Sequence, residues 1–216
     1  MSDIHRYMLM YRIYLCLFYF SLREVGYKLC VMDSNHSDED LMLQYVAGDT
    51  VAFESLYTRH KGPVYRYMLR LCRNEAVAEE LFQEVWMKLI KAREKYVASA
   101  KFTTYLYKLA HNLYIDHYRK QSVRIVEDLS VEVGDIESER GSASNPEHLT
   151  QINQTMDRLI TLLETLPNEQ KEVFLLREEA GMTIPEIAET IGVNNEAAKS
   201  RLRYAIAKLR SGLNGE

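Results

Sequence analysis

The chain has 216 residues, 47% apolar and 27% charged, a globular balance that excludes a wholly disordered or collagen-like polymer. Nine glycines and four prolines are too few for a loop-rich all-β fold and favour helices. Cys16, Cys30 and Cys72 share no metal-ligand spacing, so neither a disulfide scaffold nor a zinc module is expected, and a reducing cytoplasm fits best. The net charge of −4 conceals alternating blocks: +2 over 1–32, −6 over 33–56, +7 over 57–121, −4 over 122–146, −6 over 147–192 and +3 over 193–216. Basic blocks parted by acidic ones suit a protein that touches a polyanion at two places.

Residues 7–22 are apolar apart from Arg12 and Ser21. As a helix they would span about 24 Å, short of a bilayer core of about 30 Å, and no small-residue cleavage site follows. Met32 opens an acidic stretch that runs directly into a helical pattern. Met32 is therefore the expected start, which leaves residues 1–31 of the apolar leader 1–32 untranslated.

From Asp38, apolar residues recur at three-to-four spacing: Leu41, Tyr45, Ala52, Phe53, Leu56 and Tyr57, with Gly48-Asp49 separating two helices. Pro63 sits where a further helix can begin, with Val64, Tyr67, Met68 and Leu71 as its stripe. The next helix is predicted from about Ala76 to Lys95. It turns Leu81, Val85 and Leu89 inward and Glu79, Glu80, Gln83, Glu84 and Lys88 outward. After a loop at Tyr96–Lys101, another helix reaches about Gln121, with Phe102, Tyr105, Leu106, Leu109 and Leu113 buried. Lys101, Thr104, Tyr107, Lys108, His111, Asn112, Asp116, Arg119 and Lys120 are predicted on its open side. Aromatic and amide groups among cations suit unpaired bases, which need stacking surfaces, edge hydrogen bonds and phosphate neutralisation.

Residues 122–148 lose this period and read as a flexible acidic linker. A second helical domain follows over 149–213, broken at Leu166-Pro167 before a helix from Asn168 to Glu178. Thr183 and Glu186 form a capping-box pattern, Pro185 falls in the first turn, and Gly192 closes the helix. Asn194 is a good N-cap for a last helix with Ala198, Leu202, Ala205, Ile206 and Leu209 inward. The pair reads as a helix-turn-helix, in which Ala188 allows close approach and Val193 plugs the gap. Asn195, Glu196, Lys199, Ser200, Arg201 and Arg203 lie where a second helix of this type reaches base edges and phosphates.

The chain resembles the sigma-70 family, in particular its small extracytoplasmic-function (ECF) members with only regions 2 and 4. Glu79-Glu-Leu-Phe-Gln-Glu-Val-Trp86, the Ala110-x-Asn112-x-x-x-Asp116-x-x-Arg119 frame, and Leu166-Pro167 through Lys199-Ser-Arg-Leu202 to Arg210 carry the resemblance. It implies an all-α fold of two small helical domains joined by the linker: region 2 over 33–121 and region 4 over 149–213. By position, Glu79, Glu80, Gln83, Glu84 and Lys88 would hold core RNA polymerase. Asn112 and Asp116 would lie near a captured nontemplate base, with Tyr96–Lys101 as the pocket loop. Lys199, Ser200, Arg201 and Arg203 would read the upstream promoter element. The implied partners are the β′ clamp helices and β subunit of the polymerase, promoter DNA, and an anti-sigma factor, which the family often has at the inner membrane. The apolar leader departs from the family pattern, and the resemblance supplies no role for His111.

No phosphate loop, nucleophile elbow or paired-carboxylate arrangement is present, and the six histidines have no metal spacing. No enzyme site, metal or cofactor is expected. Two other function classes fit parts of the sequence. A helix-turn-helix repressor or activator predicts autonomous duplex binding, and a membrane-tethered interaction protein predicts that residues 7–22 anchor it.

Overall fold

A computed structural model describes residues 36–127 and 157–214 of the chain, with side chains placed to 121 and again from 157. The expected leader and most of the expected linker, from residue 128 on, lie outside the described residues. Those described are helical and turn structure without strands, and none of their helices is long and apolar enough to cross a membrane.

Helix α1 (Asp38–Val46) starts because Ser37 Oγ accepts from the Asp40 amide at 3.1 Å, with three acids in the first turn. It ends at Gly48, whose φ of +106° suits glycine. Asp49 then caps α2 (Thr50–Cys72), its carboxylate accepting from the Val51 amide at 2.9 Å. Asn74 caps α3 (Glu75–Ala92), which tightens into a 3-10 turn at Arg93–Lys95. Helix α4 (Phe102–Glu127) is capped from elsewhere: Glu39 of α1 accepts from the Phe102 amide at 2.7 Å.

The expected helix start at Pro63 is corrected: Pro63 lies inside α2. The missing amide removes one hydrogen bond, but the buried stripe continues in register through Ala52, Leu56, Val64, Tyr67, Met68 and Leu71. His60 bridges the gap in that stripe, its ring 5.3 Å from Phe102 and its Nε2 2.7 Å from Asp38. Asp38 also accepts from Arg59 at 2.8 Å. Burial works against its charge, but these hydrogen bonds outweigh it and lower its pKa. Helix α4 also runs past Gln121 to Glu127, where the sequence offers no Gly or Pro to stop it.

Helix α2 is the axis of the first unit, packed by α1, α3 and α4. An aromatic seam fills its open end, with the Trp86 ring 4.9 Å from Tyr57 and 6.0 Å from Phe53. In the second unit, residues 157–164 are helical, followed by α5 (Asn168–Glu179), α6 (Ile184–Ile191) and α7 (Asn195–Asn214). Leu159, Leu163, Leu166, Phe174, Ala205 and Leu209 form one core of this unit. Its other apolar face, with Val173, Leu175, Leu176, Met182 and Ile187, is continuous with the core of the first unit. The units pack through α5 on α2 and α6 on α4.

Lys171 of α5 is 1% exposed and its Nζ has no hydrogen-bond partner. Burial, reinforced by Arg73, pushes its pKa down to about 8. A lysine held below its usual value of about 10.4 opposes folding fully below pH 8, and the penalty fades as the pH rises toward 10.4. Lys171→Met is therefore expected to stabilise the fold by about 1–3 kcal/mol at pH 7 and by less at pH 10. Urea denaturation at both pH values measures this; a destabilised variant at pH 7 would contradict it.

Candidate nucleic-acid interface

Three surfaces are built on this scaffold. The first is the outer face of α3. Ala78, Leu81, Val85 and Leu89 anchor it inward, which leaves Glu79, Glu80, Gln83 and Glu84 exposed and Lys88 half-exposed. Glu84 and Lys88 pair weakly at 3.9 Å, and Met87 adds an apolar spot, 51% exposed, in the same row.

The second surface is the open side of α4. Lys101, Lys108, Asn112, Asp116, Arg119 and Lys120 are exposed. Lys108, Asn112 and Asp116 recur every four residues and so share one face. Thr104 and Tyr107 correct the expectation: they are 2% and 0% exposed. Tyr107 stacks edge-on against Tyr67 of α2 at 5.2 Å, and its hydroxyl has no hydrogen-bond partner. Burial raises the pKa of both tyrosines, which stay protonated. His111 is half-buried, its Nδ1 donating to Glu172 of α5 at 2.6 Å.

At the start of α4 the loop 96–101 and α1 enclose an open pocket of about 460 Å³, lined by Asp38, Glu39, Ala98, Ser99, Ala100, Lys101 and Thr103. Tyr96 secures the loop, 8% exposed and 5.3 Å from the Tyr105 ring. The α1 carboxylates of this lining escaped the sequence reading because they are some 60 residues from the loop they face.

The third surface is the helix-turn-helix. Thr183 and Glu186 form the capping box, with the Thr183 amide donating to Glu186 at 2.7 Å. Lys101, the Thr183 amide and its hydroxyl hold the Glu186 pKa down, at about 2. Gly192 closes α6 at φ +71°, and Asn194 caps α7 by accepting from the Ala197 amide at 2.7 Å. On α7, Asn195, Glu196, Lys199 and Arg203 are exposed, whereas Ser200 and Arg201 are half-buried. Arg201 is held 2.7 Å from Glu169 of α5, and the Arg203 guanidinium lies 5.2 Å from the Tyr204 ring. Among the described residues no cluster of His, Cys, Asp and Glu could hold a metal. Cys72 is half-buried, and burial pushes its thiol up to about 11, away from reactive thiolate.

The fold and these surfaces define a two-module helical protein with a helix-turn-helix as its second module. Residues 56–124 match the family model for sigma-70 region 2, and residues 156–209 that for sigma-70 region 4, together more than half of the chain. The chain belongs to the sigma-70 family, in its ECF group, whose members are non-catalytic initiation factors. It is 26% identical over 178 residues to the ECF RNA polymerase sigma factor BldN of Streptomyces coelicolor, covering 80% of this chain and 66% of that one. It is 29% identical over 169 residues to the ECF RNA polymerase sigma factor SigL of Mycobacterium tuberculosis, covering 76% of this chain and 90% of that one. The chain thus spans just under two thirds of BldN and nearly all of SigL. A solved structure of the sigma factor RpoE of Bartonella quintana, in complex with the anti-sigma factor NepR, shares the fold. Its TM-score is 0.61 at 17% identity, with 75% of this chain and 96% of that one covered.

Proposed function

We propose that the chain is a dissociable subunit that binds core RNA polymerase, directs it to specific promoters and helps open them. The observation that carries this reading is the presence of exposed α3, α4 and α7 surfaces on one chain, in the order of regions 2 and 4. The α3 row of Glu79, Glu80, Gln83, Glu84 and Lys88 grips the β′ clamp helices, and region 4 meets the β subunit. Asn112 and Asp116 face the nontemplate strand. Lys101, Lys108, Arg119 and Lys120 neutralise its phosphates, and the pocket behind the 96–101 loop takes an unstacked base. The burial of Thr104 and Tyr107 removes them from the reading set. Asn195, Glu196, Lys199, Ser200, Arg201 and Arg203 face the upstream duplex. The site of action is the cytoplasm, where the polymerase is. The RpoE–NepR complex supports an anti-sigma factor as a further partner.

The test is reconstitution: purified chain with core enzyme, transcribing a fragmented-genome template, with start sites mapped. Initiation clustered behind a shared two-part motif is expected; failure to direct any initiation would overturn the proposal. Within that assay, Arg203→Ala is expected to lose about 1–3 kcal/mol at the upstream element. If the guanidinium reads a base, the loss is confined to one position of the motif. If it grips phosphate, binding to every sequence weakens alike.

A further inference from the structure

We infer that Glu39 sets which base the pocket at the start of α4 accepts. The preferred base carries, on its pairing edge, an exocyclic amine beside a ring nitrogen acceptor, as cytosine and adenine do; thymine is rejected. The inference deepens the reading of that pocket proposed above and rests on it. Of the lining residues, Ala98 and Ala100 are apolar, and the Ser99 and Thr103 hydroxyls either donate or accept, so they do not separate an amine from a carbonyl. Both Asp38 oxygens are engaged, Oδ1 by Arg59 at 2.8 Å and Oδ2 by His60 at 2.7 Å. The Lys101 ammonium is held by Glu186 at 2.8 Å. Glu39 differs from all of these. Its Oε1 accepts from the Phe102 amide at 2.7 Å, which fixes the carboxylate in place, and its Oε2 has no hydrogen-bond partner among the described residues.

A carboxylate oxygen accepts and does not donate. It therefore takes the N4 amine of cytosine or the N6 amine of adenine and repels the O4 carbonyl of thymine. The neighbouring position has the opposite sign. The Tyr96 hydroxyl is a donor, on a side chain 8% exposed, and it has no hydrogen-bond partner. Burial raises its pKa, and Glu39 and Asp38 raise it further, so this protonated hydroxyl stands near the same carboxylates. A buried donor without an acceptor costs folding energy, and a ring nitrogen next to the amine supplies what it lacks. Guanine fits the pair badly, because on its pairing edge the ring nitrogen beside the amine carries a hydrogen. One carboxylate thus both caps α4 and reads the base, which builds the reader into the start of the strand-facing helix.

The test uses the reconstituted holoenzyme at a promoter found by start-site mapping. 2-Aminopurine, placed at one position after another of the nontemplate downstream element, reports by its fluorescence which base leaves the stack. The four natural bases are then compared at that position, with permanganate reactivity of neighbouring thymines as the measure of opening. The wild type should open cytosine or adenine about 5- to 150-fold better than thymine or guanine, and the same series shows which of the two amines it prefers. Glu39→Gln keeps the cap, its amide oxygen accepting from Phe102 and its NH2 standing where Oε2 was. This variant should reverse the preference and open thymine best, with polymerase retention and thermal melting as in the wild type. If no position unstacks, the pocket reading falls and the inference with it. If one position unstacks but the wild type opens all four bases alike, or favours thymine or guanine, the pocket stands and selection by Glu39 is overturned. A folded Glu39→Gln variant with the wild-type preference overturns it too. The wild-type series needs no substitution in the protein, so it decides by itself where the variant fails to fold.

Discussion

Glu80→Lys is expected to weaken retention of core RNA polymerase about 100-fold, because a like charge set into a complementary interface costs several kcal/mol. The residue is exposed, and α3 is held from beneath by Ala78, Leu81, Val85 and Leu89. A surface substitution of this kind changes stability by no more than about 0.5 kcal/mol. The loss therefore belongs to the interface and not to the fold. Pulldown with core enzyme, beside a thermal melt of the free variant, measures both quantities. Retention equal to wild type would remove α3 from the polymerase-binding surface.

Asn112→Ala is expected to reduce promoter opening by about 5- to 150-fold, the equivalent of about 1–3 kcal/mol for a side chain that hydrogen-bonds one base edge. Polymerase retention should not change. Asn112 is exposed on the same face of α4 as Lys108 and Asp116, one turn from each. Alanine is the better helix former, so the backbone is not weakened. Permanganate reactivity of unpaired thymines, followed in the reconstituted holoenzyme, reports opening separately from binding. A variant that opens promoters normally would refute the assignment.

The elements were legible because their signals are local. Ser37, Asp49, Asn74 and Asn194 cap helices within three residues of their own positions. Gly192 stops α6 by its own conformation. The stripe of α3 placed Glu79, Glu80, Gln83 and Glu84 outward without any knowledge of what lies beneath. Pro63 misled because a proline announces a helix start as readily as it interrupts a helix already formed. What carried α2 through was burial on both sides of it, with His60 filling the gap against Phe102 and Asp38.

Thr104 and Tyr107 show a different limit. Helical periodicity tells which residues share a face, but not whether a second element will cover it. Here Tyr107 is buried against Tyr67 of α2, and α6 packs along α4. The opposite charges of residues 57–121 and 147–192 were visible in the sequence, and they were the one available sign that the two blocks meet. Complementary charge alone could not supply the pairings.

The residue order by itself determined most of the helices, the caps supplied by a helix's own flanking residues, the helix-turn-helix and the exposed α3 face, because each depends on hydrogen bonds and periodicity within a few turns of one helix; the cap of α4, supplied by Glu39 of α1, does not. Only the tertiary structure decided that α2 runs through Pro63, that Tyr107 is core, and that His111 meets Glu172 across 61 residues of chain. Such contacts depend on how two finished surfaces dock, and docking is set by shape and charge summed over residues far apart in the chain.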